Sequence, residues 1–105
     1  MMATRPTWAT RPVLSAIEAV ADAMIVSPKQ LRQNGCRLSH QVQQRQLVMW
    51  LARKRGASWM HMAHYLGFNY TTCMHGVRRA EERRLQNARF RRLSDHLLAK
   101  LEGRS

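Results

Sequence analysis

Gly67-Phe68-Asn69-Tyr70-Thr71-Thr72-Cys73-Met74-His75-Gly76-Val77-Arg78-Arg79 is the stretch that decides how the rest of the chain is read. Its glycine and asparagine mark a sharp turn followed by a helix start. At about 100° per residue, Thr71, Thr72, His75, Arg78, Arg79 and Glu82 share one sector, and Cys73, Met74, Val77 and Ala80 fall roughly opposite. The second face is a narrow apolar stripe suited to packing on neighbouring helices. The first is short, hydrogen-bonding and cationic. A helix held from behind that shows small polar groups and arginines in front suits a nucleic-acid groove. An ordinary basic surface helix has the same pattern, so the surroundings must separate the two.

Upstream, Ser58 can cap a short helix, Trp59 to Leu66, which Gly67 closes. A short helix, a tight glycine turn and a longer helix form a helix-turn-helix pattern, here with a brief turn. Before it, Ser39 can cap a helix running through Leu47, Met49, Trp50 and Leu51 to Arg53-Lys54-Arg55-Gly56. Its three closing cations suit the negative end of the helix dipole. Thr10 can cap the first helix, with Pro12 in the opening turn. Val13, Ile17, Val20, Ala21 and Met24 then face the core, and Glu18 and Asp22 face water. Ser27-Pro28 starts a short turn anchored by Leu31, Gln33-Asn34-Gly35 ends it, and Cys36-Arg37-Leu38 reads as a loop.

Downstream, Phe90, Leu93, Leu97 and Leu101 share one stripe of Asn87 to Glu102, either a separate helix capped by Asn87 or a bent continuation. Strand signals, repeats and low-complexity tracts are absent. The expected fold is all-α, a small helical bundle. Residues 1–10 read as a flexible N-terminal arm, and residues 11–103 as one domain. As a second reading of the arm, Arg5 and Arg11 could serve a minor groove.

Charge narrows the partners. The 105 residues carry a formal net charge of +12 and a pI of about 11.6, in the range of nucleic-acid binders. Fourteen Lys or Arg stand between Ser27 and Arg92 against two acids, Glu81 and Glu82. Such a field favours polyanions. A membrane partner is disfavoured, because no run of about 18 apolar residues exists. Met1 to Trp8 lacks the long apolar stretch of a signal peptide. Cys36 and Cys73 are too few for a disulfide framework and lack CxxC spacing, which fits a reduced cytoplasm.

Other chemistry is poorly supplied. His61, His64, Cys73 and His75 lack the paired spacing of a tetrahedral zinc site. With six acids in all, two of them beside arginines on a basic helix, the chain is not expected to be an enzyme and no cofactor is implied. Cys73 reads as a small buried hydrophobe. Cys36 reads as an inert loop cysteine rather than a thiol activated by nearby arginines. Trp50 and Trp59 read as core fillers, with stacking of Trp59 and Tyr70 on bases as the alternative. Arg78, Arg79, Arg83, Arg84, Arg89, Arg91 and Arg92 form either a solvated face or a phosphate-binding one.

These motifs together resemble a known family. Arg45-Gln-Leu-Val-Met-Trp-Leu-Ala52, then Ser58 to Gly67, then Thr71-Thr-Cys-Met-His-Gly-Val-Arg-Arg79 is similar to domain IV, the DNA-binding domain of the bacterial replication initiator DnaA. That family's pattern runs R-Q-x-A-M-x-L-A, S-L-x-x-I-x-x-x-F-G and G-R-D-H-T-T-V-x-H-A-x-R-K. The similarity covers about residues 13–100, with one extra residue before Arg45 and two single deletions after Arg53. It implies a Trp-repressor-like helix-turn-helix that binds double-stranded DNA. By the same resemblance, Thr71 touches bases, while Thr72, His75, Arg45, Gln46 and Arg53 hold the backbone. The amide end at Ser58-Trp59-Met60 takes a phosphate, and Arg37 lies in the loop that reaches the minor groove.

Where the family has Arg-Asp-His, this chain has Phe68, Asn69 and Tyr70. Asn69 still offers a donor and an acceptor, and Tyr70 can stack or donate, so an altered recognition sequence is expected. No G-x-x-x-x-G-K-[ST] loop occurs in the sequence, and the expectation is a stand-alone DNA-binding domain at the bacterial nucleoid. It would regulate transcription or replication initiation, in competition with DnaA at its sites. The alternatives are a basic helical module binding an acidic protein, or an RNA or single-strand binder.

Overall fold

In a computed structural model that describes residues 7–26, 28–31 and 39–103, the chain forms helix α1 (Thr7–Met24), a 3-10 turn (Pro28–Leu31), α2 (Ser39–Lys54), α3 (Trp59–Leu66), α4 (Tyr70–Gln86) and α5 (Ala88–Leu101). No strand occurs among the described residues. The fold is all-α.

At the centre lies α2. Leu47, Val48, Met49, Trp50, Leu51 and Ala52 are consecutive and each at most 3% exposed. A helix apolar all round must be enclosed, and α2 is packed chiefly between α1 and α4. From α1 come Val13, Ala16, Ile17, Val20 and Ala21, with Glu18 and Asp22 outside. The 3-10 turn adds Leu31, fully buried as the turn's expected anchor.

Helix ends follow local chemistry. At the end of α2, Gly56 takes a left-handed φ of 97°, and Ala57 N–H returns to the Ala52 carbonyl at 3.0 Å. The end of α1 makes the same Schellman closure, with Ile25 N–H on Asp22 O at 3.3 Å and Val26 N–H on Ala21 O at 3.0 Å. Here the left-handed position (φ 55°) holds Ile25, a β-branched residue 91% exposed, which is strained. Asn87 is extended (φ −132°, ψ 107°), and its side chain accepts from Phe90 N–H at 3.0 Å. The last segment is therefore a separate capped helix rather than a bent continuation.

Two helix starts differ from expectation. Helix α1 begins at Thr7, inside the stretch read as an arm and three residues before the Thr10 cap. No glycine interrupts residues 7–11, and the helix runs through Pro12 although an interior proline forfeits the bond to the Trp8 carbonyl and crowds that carbonyl. Ser39 is itself the first residue of α2 rather than its cap. Arg5, Cys36 and Arg37 lie outside the described residues.

Candidate nucleic-acid interface

Three residues, Gly67 to Asn69, separate α3 from α4. Gly67 is left-handed (φ 78°, ψ 24°), and its N–H and that of Phe68 both return to the Ala63 carbonyl, at 2.9 and 3.2 Å. The chain reverses there and re-enters a helix at Tyr70. Asn69 occupies the cap with extended backbone, yet its side chain makes no cap hydrogen bond. An asparagine at this position ordinarily turns its oxygen onto the first-turn N–H groups. Here the side chain leaves the opening N–H groups of α4 uncapped.

The back of α4 is fixed in place. Cys73, Gly76, Val77 and Ala80 are buried, and α4 packs on α2 more extensively than on any other helix. Contact is closest at Gly76, where a Cβ would lie 2.1 Å from Met49 Sδ. Burial pushes the Cys73 thiol up to about 11 from an ordinary 9.0, so it stays a neutral packing group. In front, Thr71, Thr72, His75, Arg78, Arg79 and Glu82 are all exposed, as the helical sectors predict, and Tyr70 is exposed on the adjoining flank. Met74 departs from them. Expected on the back stripe, it is 44% exposed beside a groove of about 310 Å³ that also involves Trp59, Thr71, His75 and Arg78.

A second cluster forms at the start of α3. Ser58 is extended (φ −76°, ψ 158°); its Oγ accepts from His61 N–H at 3.1 Å and lies 2.9 Å from His61 Nδ1. Arg53 donates from Nη1 to Ala57 O at 3.0 Å, and its guanidinium stacks 4.2 Å over the Trp59 ring. Trp59 is thus partly core and partly a platform for Arg53. Beside this stacked pair lie the first N–H groups of α3, which have no partner within the helix. A helix start and its dipole favour negative charge, and the Arg53 guanidinium stacked on Trp59 adds a cation beside it.

Other expected backbone contacts are placed differently. Arg45 is only 7% exposed, with its guanidinium 5.9 Å from the Phe68 ring centroid. It underpins the turn instead of facing solvent, because Phe68 supplies an aromatic face where the resembled pattern has arginine. Gln46 accepts from Arg83 Nη1 at 2.9 Å, tying α2 to α4. Arg83 also lies over Phe90 at 5.3 Å, and burial, with Arg79 nearby, lowers its pKa. Arg84 donates to buried Ser94 and to Asp95 at 2.7 Å, and covers Trp50 at 4.4 Å. Two cations of the run read as a solvated or phosphate-binding face are structural. Sequence reasoning had no signal for these partners, which lie on other helices.

Among the described residues, no three His, Cys, Asp or Glu side chains converge as metal ligands, and no helix is long and apolar enough to cross a membrane. Comparison with curated proteins and with solved structures finds no match. Comparison with protein families does find one. The family described as bacterial dnaA protein helix-turn-helix matches residues 15–80, from α1 through the exposed front of α4. With most of its length matched, and with the short helix, left-handed glycine and exposed second helix that this DNA-binding motif requires, the chain belongs to the bacterial DnaA helix-turn-helix family.

Proposed function

We propose that this protein binds double-stranded DNA sequence-specifically, with the first turns of α4 in the major groove, and thereby regulates transcription or the initiation of replication. The observation that carries this reading is the start of α4. Asn69 withholds its side chain from the cap, next to exposed Thr71 and Thr72, on a helix whose back is locked against α2. Asparagine offers the paired donor and acceptor that match adenine, and threonine offers a hydroxyl and a methyl to either base type. Arg53 with the start of α3, together with Thr72, His75 and Arg79, holds phosphates on either side, while Arg45 and Gln46 fix the turn and helix that present them. Asn69 and Tyr70 stand where the family pattern carries Asp and His, so the preferred site differs from that initiator's. Competition with it is confined to sites the two share.

Selection of bound sites from a random duplex pool tests this, followed by titration of variants at several salt concentrations. Asn69→Ala or Thr71→Ala should relax preference at one or two positions, by about 1–3 kcal/mol per lost base contact. Arg53→Ala and Arg79→Ala should weaken binding to all sequences and lower the salt slope by about 0.9 per phosphate released. If no sequence is enriched and single strands or RNA bind better, the groove reading fails.

A further inference from the structure

We propose that two copies of this chain pair through the groove between α4 and α5, around Leu85, and so present two reading ends to an inverted repeat of half-sites. The pairing stands on the groove alone; the inverted repeat rests on the DNA reading of α4 above. Leu85, in the last turn of α4, is 84% exposed. It lines a groove of about 620 Å³ with Leu98 and with Lys54 and Arg84, whose charged ends lie 5.7 and 4.4 Å from the Trp50 ring. Glu81, Asp95 and Arg91 stand there too, so two of the chain's six acids are set among three cations.

A chain of net charge +12 repels its own copies over most of its surface. An apolar contact between copies therefore needs a patch where both signs stand. Other exposed apolar side chains do not meet that condition. The hollow beside Ile25 has only Glu18 and Asp22 as charged neighbours, which would repel themselves across a two-fold axis. Met60, Tyr70 and Met74 stand in the first turns of α3 and α4, the ends that the DNA reading uses. Around Leu85, the exposed pair of Lys54 and Glu81 lies 3.7 Å apart within one copy. A two-fold axis brings a patch against itself, so the pair can exchange partners. Lys54 of each copy then faces Glu81 of the other, and each Leu85 covers the other's groove. Lengths agree with paired half-sites. Thr71 stands fourteen residues before Leu85, about 21 Å along a helix that rises about 1.5 Å per residue. Two such helices joined at their last turns hold their first turns up to about 42 Å apart. Half-sites one helical turn apart are separated by about 34–36 Å, which the pair spans with its helices inclined to one another.

Sedimentation equilibrium of the full chain without DNA tests the pairing, and the mass should rise from one chain to two as concentration increases. Leu85→Gln, which keeps helix propensity at an exposed site, should weaken association by about a hundredfold, because each dimer returns two leucines to water. Lys54→Glu and Glu81→Lys alone should each weaken it about tenfold by facing like charges. An equimolar mixture of these two variants should associate as the native chain does, since every facing pair then has opposite signs. An ion pair confined to one copy gives no such recovery on mixing. Melting followed by circular dichroism verifies that each variant is folded. Site selection with the native chain should return inverted repeats with centres about 10–10.5 base pairs apart, and Leu85→Gln should bind the same half-sites without cooperativity. The pairing is overturned if the chain stays monomeric at every concentration, if Leu85→Gln associates as the native chain does, or if mixing restores nothing. A dimer that selects unpaired half-sites overturns the inverted repeat. A dimer that binds no duplex keeps the contact and removes the groove reading of α4.

Discussion

Gly76 is where the placement of the DNA-reading helix can be tested most directly. Replacing it by alanine puts a Cβ 2.1 Å from Met49 Sδ, in a site where Met49 is 3% exposed and closed in by α2 and α4. Ordinary contact needs about 3.5–4.0 Å between heavy atoms, so the sulfur or one of the helices has to move by more than an ångström. Overpacking of this kind costs about 1–3 kcal/mol. Alanine returns up to about 1 kcal/mol through its better helix propensity. The balance is a loss of about 1 kcal/mol, or roughly 4–8 °C in Tm for a domain of this size. Urea and thermal unfolding followed at 222 nm measure it. The decisive comparison is Gly76→Ala within a Met49→Ala chain. That background is itself weaker by about 2–5 kcal/mol, but it has no sulfur to displace, so only the propensity gain remains and the second substitution should stabilise. A Gly76→Ala chain that melts higher than the native one would refute the close α2–α4 crossing. So would an equal loss in both backgrounds.

Ile25→Gly should raise stability by about 1 kcal/mol, because it relieves a left-handed β-branched residue that is 91% exposed and has little packing to lose. A melting curve is sufficient to check it. The Cys73 thiol should resist iodoacetamide in the folded Cys36→Ser chain at pH 8 and react readily once denatured. Its pKa is raised from 9.0 to about 11 on folding, so the unfolded chain loses its proton first. The associated stability is complete below pH 9 and declines as pH rises from 9 toward 11, which denaturant titrations across that range will show. With a net charge of +12, added salt should raise Tm by screening self-repulsion while weakening DNA binding. Parallel Tm and affinity measurements between 50 and 500 mM NaCl test this, and a Tm that falls with salt would contradict it.

What was legible in the sequence was local. Ser58, Gly67 and Asn87 announce helix ends because each satisfies backbone groups within four residues of itself, and all three do so in the structure. The faces of α4 were legible to within one sector, and the error at Met74 is instructive. A helical wheel orders residues around the axis but does not say which direction the neighbouring helix approaches from. Here α2 approaches over Gly76, on the opposite side of Cys73 from Met74, because a residue without a Cβ lets Met49 come close. That rotation brings Met74 out beside Trp59. The fates of Arg45, Gln46 and Arg84 were illegible for a related reason. Their partners Phe68, Arg83 and Ser94 are 23, 37 and 10 residues away in sequence, and a guanidinium meant for an aromatic ring reads the same as one meant for phosphate.

Sorting the cations this way changes what the basic composition means. Arg45, Arg83 and Arg84 are held by Phe68, Gln46, Ser94 and Asp95, so they stiffen the junctions among α2, α4 and α5 and contribute little to a contact surface. Lys54 and Arg79 are answered by Glu81 and Glu82 at 3.7 and 3.6 Å, in exposed pairs that water and salt readily loosen. Arg78, Arg89, Arg91 and Arg92 are exposed and have no acid in ion-pair range among the described residues. The last three stand early in α5, whose first turn holds no acid. Cations there oppose the helix dipole, at about 0.3–1 kcal/mol each, and no ion pair among the described residues offsets it. A phosphate backbone reverses both terms at once, since it answers the guanidinium charge and the dipole together. The interior arginines therefore set the shape of the bundle, and the exposed ones bias which of its faces a polyanion meets.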